Sequence, residues 1–310
     1  GYTFSSDGAA WTDSTKDAMR LAIHDTSLWG IDRTGQLWNA TTLGTEVNKA
    51  QLPVPKPAGA TDHAYISDLF TAPDAAGEPS LWAATASGLF LYDQTNNEWI
   101  PTNITSPEAK YNGRGTCIWN ADLYVPAGMG NNRVVFGVTT DVVPVGPDRD
   151  HGLPDIYRGA IVDQAPGHDI LAVALEGDFP GFRSFVTTAT DLRASVLAYD
   201  GVGWQVFWKS TTASERVRKL IIGSAYSKYR LWFSTTVTTT ARDIYYIDLP
   251  SERVNPNQAQ SRTYAASSVH ETPWFKVGTD IEGIAVAVLA ETRKTSTSET
   301  VKIEYDRNYS

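Results

Sequence analysis

The sequence is poor in the residues from which most reaction centres are built. One cysteine, Cys117, among 310 residues excludes an intramolecular disulfide and any multi-thiolate metal site. The five histidines fall at no ligand spacing of the His-x-x-x-His type. No apolar run approaches the roughly 20 residues of a membrane span, so no membrane insertion is expected. Basic side chains are in the minority, 26 against 35 acidic ones, for a net charge of -9. Such a field repels polyanions, so no nucleic-acid partner is expected. No catalytic motif stands out. Cys117, within Gly115-Thr116-Cys117-Ile118-Trp119, reads as a small buried strand residue. The lack of disulfides suits assembly in a reducing cytoplasm.

Strand-forming residues are abundant. Ten Trp, 14 Tyr and 10 Phe accompany many Thr and Val, a mix that favours pleated, half-buried strands. One pattern recurs: apolar strand, Asp/Gly turn, apolar strand. Its clearest copy is Leu28-Trp29-Gly30-Ile31-Asp32-Arg33-Thr34-Gly35-Gln36-Leu37-Trp38, and it returns from Leu81 to Tyr92. Looser copies begin at Leu123, Leu171 and Leu231. A self-similar period of roughly 40–50 residues built from hairpins is the signature of propeller blades. The fold expected is all-β: an irregular five- or six-bladed β-propeller over 1–269, then the start of a β-sandwich-like module at 270–310. The alternative for the last segment is that it pairs with residues 1–15 to close a sixth blade. The ends at Gly1 and Ser310 read as those of a piece of something longer.

Blades are expected at about 19–51, 62–104, 111–144, 159–209 and 218–264. Pro53, Pro55 and Pro57 each remove a ladder donor, so that stretch links blades. Trp82, Tyr92, Trp99, Trp204 and Trp232 are expected to wedge between blades.

Three sets of residues are candidates for chemistry. Asp148, Asp150 and Asp155, beside His151, sit in one loop whose carboxylates suit Ca²⁺, although Arg149 offers an internal counter-charge and the EF-hand pattern is missing. Phe179 and Phe182, with Arg183, lie in a long excursion and suit stacking on a sugar ring or seating in a neighbouring subunit. Arg20, Arg114, Arg158, Arg218 and Arg230 lie near the expected inner strands, where they either converge on the axis or form ion pairs between blades. The neighbours His24-Asp25, Asp62-His63 and His168-Asp169 are not read as dyads, because adjacent strand residues point to opposite faces. No catalytic residue is assigned and no cofactor is expected beyond the Ca²⁺ option.

The runs Leu123-Tyr124-Val125-Pro126-Ala127-Gly128, Gly146 to Pro154, Ser195 to Trp204, Tyr245-Tyr246-Ile247-Asp248-Leu249-Pro250 and Thr272-Pro273-Trp274-Phe275 resemble virion proteins of tailed bacteriophages. The resemblance covers most of the chain and implies a propeller followed by β-rich modules in a tail or fibre component. It implies a non-enzymatic structural and interaction protein of the virion, assembled in the host cytoplasm. The partners implied are other virion proteins, further copies of the chain, and a host-surface glycan or receptor. A carbohydrate-active, sialidase-like propeller enzyme is the competing expectation. It requires inward-facing acids of raised pKa at the axis. A secreted or cell-surface propeller lectin is the third.

Overall fold

The computed structural model describes residues 3–4, 12–14, 16–42, 44–53, 66–106, 111–136, 140–147, 159–176, 193–212, 215–224, 228–237 and 242–249. The chain divides into two units, Gly1–Thr272 and Pro273–Ser310. The second unit lies wholly outside the described residues, as do the boundary expected at 269/270 and the strands expected at 284–289 and 300–305. Every regular element described is a β-strand, so none is a helix long and apolar enough to cross a membrane.

A short hairpin, β1 (Thr3–Phe4) with β2 (Thr12–Asp13), precedes five antiparallel sheets. Each sheet is built from one continuous stretch of chain, with strands side by side in sequence order. The first holds β3 (Arg20–His24), β4 (Ser27–Ile31), β5 (Gln36–Ala40) and β6 (Val47–Gln51). The second holds β7 (Ile66–Pro73), β8 (Pro79–Thr85), β9 (Gly88–Asp93) and β10 (Glu98–Thr105). The third holds β11 (Cys117–Trp119), β12 (Asp122–Ala127), β13 (Gly130–Val135) and β14 (Asp141–Gly146). The fourth holds β15 (Ala160–Pro166), β16 (Leu171–Glu176), β17 (Ser195–Tyr199) and β18 (Trp204–Lys209). The fifth has three described strands, β19 (Arg216–Gly223), β20 (Arg230–Thr236) and β21 (Arg242–Asp248).

Turn chemistry explains the meander. Asp32 Oδ1 accepts the N–H groups of Thr34 and Gln36, and Gly35 takes a φ of 86° that a Cβ would resist. Asp74, Asp93 and Asp200 cap their own turns in the same manner. These are the Asp turns of the sequence repeat.

Among the described residues the core is four apolar layers, one between each consecutive pair of the five sheets. Trp29, Ile31 and Leu37 meet Leu69, Leu81 and Tyr92 between sheets one and two. Trp82, Ala84 and Leu89 meet Leu123 and Val134 between two and three. Trp119 and Tyr124 meet Leu171, Val173 and Tyr199 between three and four. Ala172, Ala174 and Val196 meet Leu220, Leu231 and Phe233 between four and five. Serial, face-to-face packing of up-and-down sheets is propeller-like. The first strands also neighbour one another in order, β3 to β7 to β11 to β15 to β19.

Gly128 and Met129 form a tight turn that enters β13 at Gly130. Trp232, expected as a wedge, is half-buried on the side of the fifth sheet opposite the layer that holds Leu231 and Phe233.

Candidate functional site

The row of first strands carries the most unusual chemistry among the described residues. Three of them share one irregularity. In β7 the ladder passes from Ile66↔Thr85 to Asp68↔Ala84, leaving Ser67 as the extra residue. In β15 it passes from Ile161↔Leu175 to Asp163↔Ala174, leaving Val162. In β19 it passes from Val217↔Thr235 to Lys219↔Ser234, leaving Arg218. A bulge re-aims the side chain beside it. In all three sheets it comes at the same point, and the next residue is charged.

These charges meet. Lys219 Nζ lies 2.8 Å from Asp163 Oδ1 although the two strands belong to different sheets. Asp163 Oδ2 accepts the N–H of Leu220 at 2.7 Å. Arg20, at the start of β3, donates from Nε to the Ser67 carbonyl at 2.6 Å and from Nη1 to the Met19 carbonyl. Arg114, just before β11, stacks on the Tyr111 ring with its guanidinium 4.7 Å from the centroid. Its Nε is buried and has no hydrogen-bond partner among the described residues. Glu176, closing β16, faces Arg216 Nη1 at 2.9 Å. Close approach is built in on one side, where Gly115 packs against the backbone N of Gln164 and the Asp163 carboxylate, leaving no room for a Cβ.

Asp68 differs from its neighbours. It is half-buried, and the one hydrogen bond its carboxylate accepts among the described residues is from the adjacent Leu69 N–H. Burial pushes its carboxyl up to about 6, against the pull of the Arg20 and Lys219 cations. Burial also raises Asp163, with Lys219 and the Leu220 N–H opposing. Burial lowers Arg114, and the nearby Arg20 cation adds to this. Cys117 opens β11 in the same neighbourhood. Burial, then the Asp163 and Asp68 carboxylates, push its thiol far up and disfavour a nucleophilic thiolate.

The residues singled out in the sequence fare differently. Asp148, Asp150 and Asp155, like His151, lie outside the described residues, as do Phe179, Phe182, Arg183 and Arg158. Among the described residues no group of three or more His, Cys, Asp and Glu side chains is placed to hold a metal. Of the candidate arginines, Arg20 and Arg114 approach the first-strand row. Arg218 is a bulge residue bonded to Thr236 Oγ1, and Arg230 pairs with Asp248 within its own sheet. His24 and Asp25 do approach, Nε2 to Oδ2 at 3.5 Å, because Asp25 and Thr26 form a tight turn with φ of 47° and 60° and strand alternation stops there. The same ring nitrogen faces Gln94 Nε2 at 2.6 Å, which ties the first sheet to the second. Asp68, Asp163 and Lys219 were missed by the sequence reading. Their signal is a break in alternation, with an extra residue inserted before a charge, as in Ile66-Ser67-Asp68-Leu69 and Val217-Arg218-Lys219-Leu220.

A second surface is distinctive. On the fifth sheet Ile221, Trp232 and Tyr246 line up across three strands. Ile221 is 59% exposed, Ile244 75% and Tyr246 51%. The Arg230 guanidinium lies over both the Tyr246 and Trp232 rings, at 4.2 Å and 5.6 Å from their centroids.

No family model matches the sequence, and no curated protein matches it. Solved structures with similar folds include the extracellular domain of the hybrid two component system BT4673 from B. thetaiotaomicron, at 11% identity and a TM-score of 0.47 over 76% of this chain. This chain spans only 28% of that one. The Dos1 propeller is similar at 13% identity and a TM-score of 0.44, over 76% of this chain and 59% of its own. YjhT is similar at 11% identity and 0.43, over 72% and 75%. Identities this low carry no chemistry from those proteins to this one.

Proposed function

We propose that this chain is a non-enzymatic structural and interaction protein of a tailed-phage virion, associated with the tail or a fibre, that binds a host-surface glycan or receptor. In this reading its sheets close into a five- or six-bladed β-propeller and the ligand sits at the row of first strands. The observation that supports it most is the bulge repeated in β7, β15 and β19, which gathers Asp68, Asp163 and Lys219 where a propeller's inner strands converge. The exposed Ile244 and Tyr246 on β21, the outermost described strand of the fifth sheet, suit contacts with other virion proteins or further copies of the chain. No cofactor is needed for such binding.

The test is direct. Immunogold labelling of particles from the source culture should mark a fixed place on the tail, and the purified chain should adsorb to host cells. Label confined to cells or to the soluble fraction, with no adsorption, overturns the reading.

One observation favours a second reading, a carbohydrate-active enzyme. A carboxyl that titrates near 6 is poised to act as a general acid. Glycoside cleavage needs a second free carboxylate or an equivalent nucleophile, and Asp163 is already held by Lys219 and Leu220. Release of reducing sugar from host-surface polysaccharide, lost in Asp68→Asn, would establish this reading over the first.

A further inference from the structure

We infer that the first-strand row binds a saccharide carrying a single carboxylate, a uronic acid unit, with Arg114 and Arg20 taking the carboxylate and Asp68 taking a ring hydroxyl. The inference rests on the reading above that this row is a binding site, and it names the ligand class.

Charge points to one negative group. Among the described residues Arg20, Arg114, Arg216 and Lys219 stand against Asp68, Asp163 and Glu176, so four cations face three carboxylates. Two of the carboxylates are already paired, Asp163 with Lys219 and Glu176 with Arg216. The cations left over are Arg20 and Arg114, and the acid left over is Asp68. A monoanion balances this set, whereas a phosphate dianion would confront Asp68 with more charge than the row offsets.

Hydrogen-bonding capacity points to a planar carboxylate. Guanidinium matches carboxylate in a fork geometry. The Arg114 guanidinium lies over the Tyr111 ring, and its buried Nε has no acceptor among the described residues. Arg20 is oriented by its bonds to the Ser67 and Met19 carbonyls. The half-buried Asp68, whose carboxylate accepts only the Leu69 N–H among the described residues, suits a sugar hydroxyl. At the edge of the row, the paired Lys219 and Arg216 side chains are 65% and 41% exposed. Among the described residues the groups facing Asp68 are Arg20 from β3, Cys117 from β11, Asp163 from β15 and Lys219 from β19.

The experiment is saturation-transfer NMR on the whole chain with methyl β-D-glucuronide and, as the neutral counterpart, methyl β-D-glucoside, each titrated at about pH 5 and pH 7.5. The glucuronide should bind, several-fold more tightly at the lower pH, where protonation of Asp68 removes a like charge and the ligand stays ionised. Asp68→Asn should remove that pH dependence, and Arg114→Gln should weaken binding at least 10-fold. The wild-type pH comparison needs no variant, so misfolding of either one leaves the test intact. Equal binding of the glucoside overturns the acidic class and leaves the row as a saccharide site. Binding of neither sugar also overturns the class, while adsorption to host cells decides separately whether the broader reading stands.

Discussion

At the scale of single residues, two positions show how little slack the fold has. Gly30 lies under the Trp38 ring, and a Cβ there would sit 2.1 Å from that fully buried indole. Gly30→Ala should lower stability by about 2–3 kcal/mol through overpacking, measured by chemical denaturation. Asp68 is a matter of sign. Its folded pKa, about 6, lies above the unfolded value of 3.8, so the stability tied to its protonated form is full below the unfolded value and is lost as pH rises through about 6. Asp68→Asn should therefore leave stability at pH 4 unchanged and raise it near pH 7 by on the order of 2–3 kcal/mol. Lys219→Met should do the reverse at neutral pH. It strands the buried Asp163 carboxylate on the Leu220 N–H, for a loss of about 2–4 kcal/mol that shrinks as acid protonates Asp163. None of these three roles was legible in the sequence. A charged residue inside a strand reads as facing solvent until the bulge that turns it is seen.

At the scale of elements, the sequence was most informative where strands are packed on both faces. Leu171–Glu176 and Ser195–Tyr199 are buried at every position, and both were readable as strands from their apolar runs. It was least informative at the outermost strands. Val47–Gln51 and Asp141–Gly146 carry Asn, Lys, Asp and Pro, and they are mostly exposed, so no apolar alternation marks them. Their pairing is fixed by the preceding strand and its turn rather than by burial. Hydrogen–deuterium exchange should follow this gradient. Amides of β16 and β17 should be the slowest in the described chain, and those of β14 and β21 should exchange orders of magnitude sooner.

At the scale of the whole molecule, the fifth sheet bears on assembly. Its outermost described strand, β21, presents the Ile244 and Tyr246 side chains to solvent. The double variant Ile244→Lys with Tyr246→Lys should keep its melting temperature within a few degrees, since both side chains are exposed. It should elute by light-scattering chromatography as a smaller species than the wild type. An unchanged mass would remove this face from the set of subunit contacts.

Because each sheet is one uninterrupted stretch of chain, it can pair its strands as soon as that stretch has been synthesised. The Asp163–Lys219 contact cannot, since its partners are 56 residues apart. At about 5–20 residues per second, Asp163 waits roughly 3–11 s for its cation. Over that interval the fourth sheet of the nascent chain exposes both an unpaired acid and the apolar surface that Leu220, Leu231 and Phe233 later cover. The growing polypeptide is then most open to capture by a chaperone or by a sibling chain on the same message.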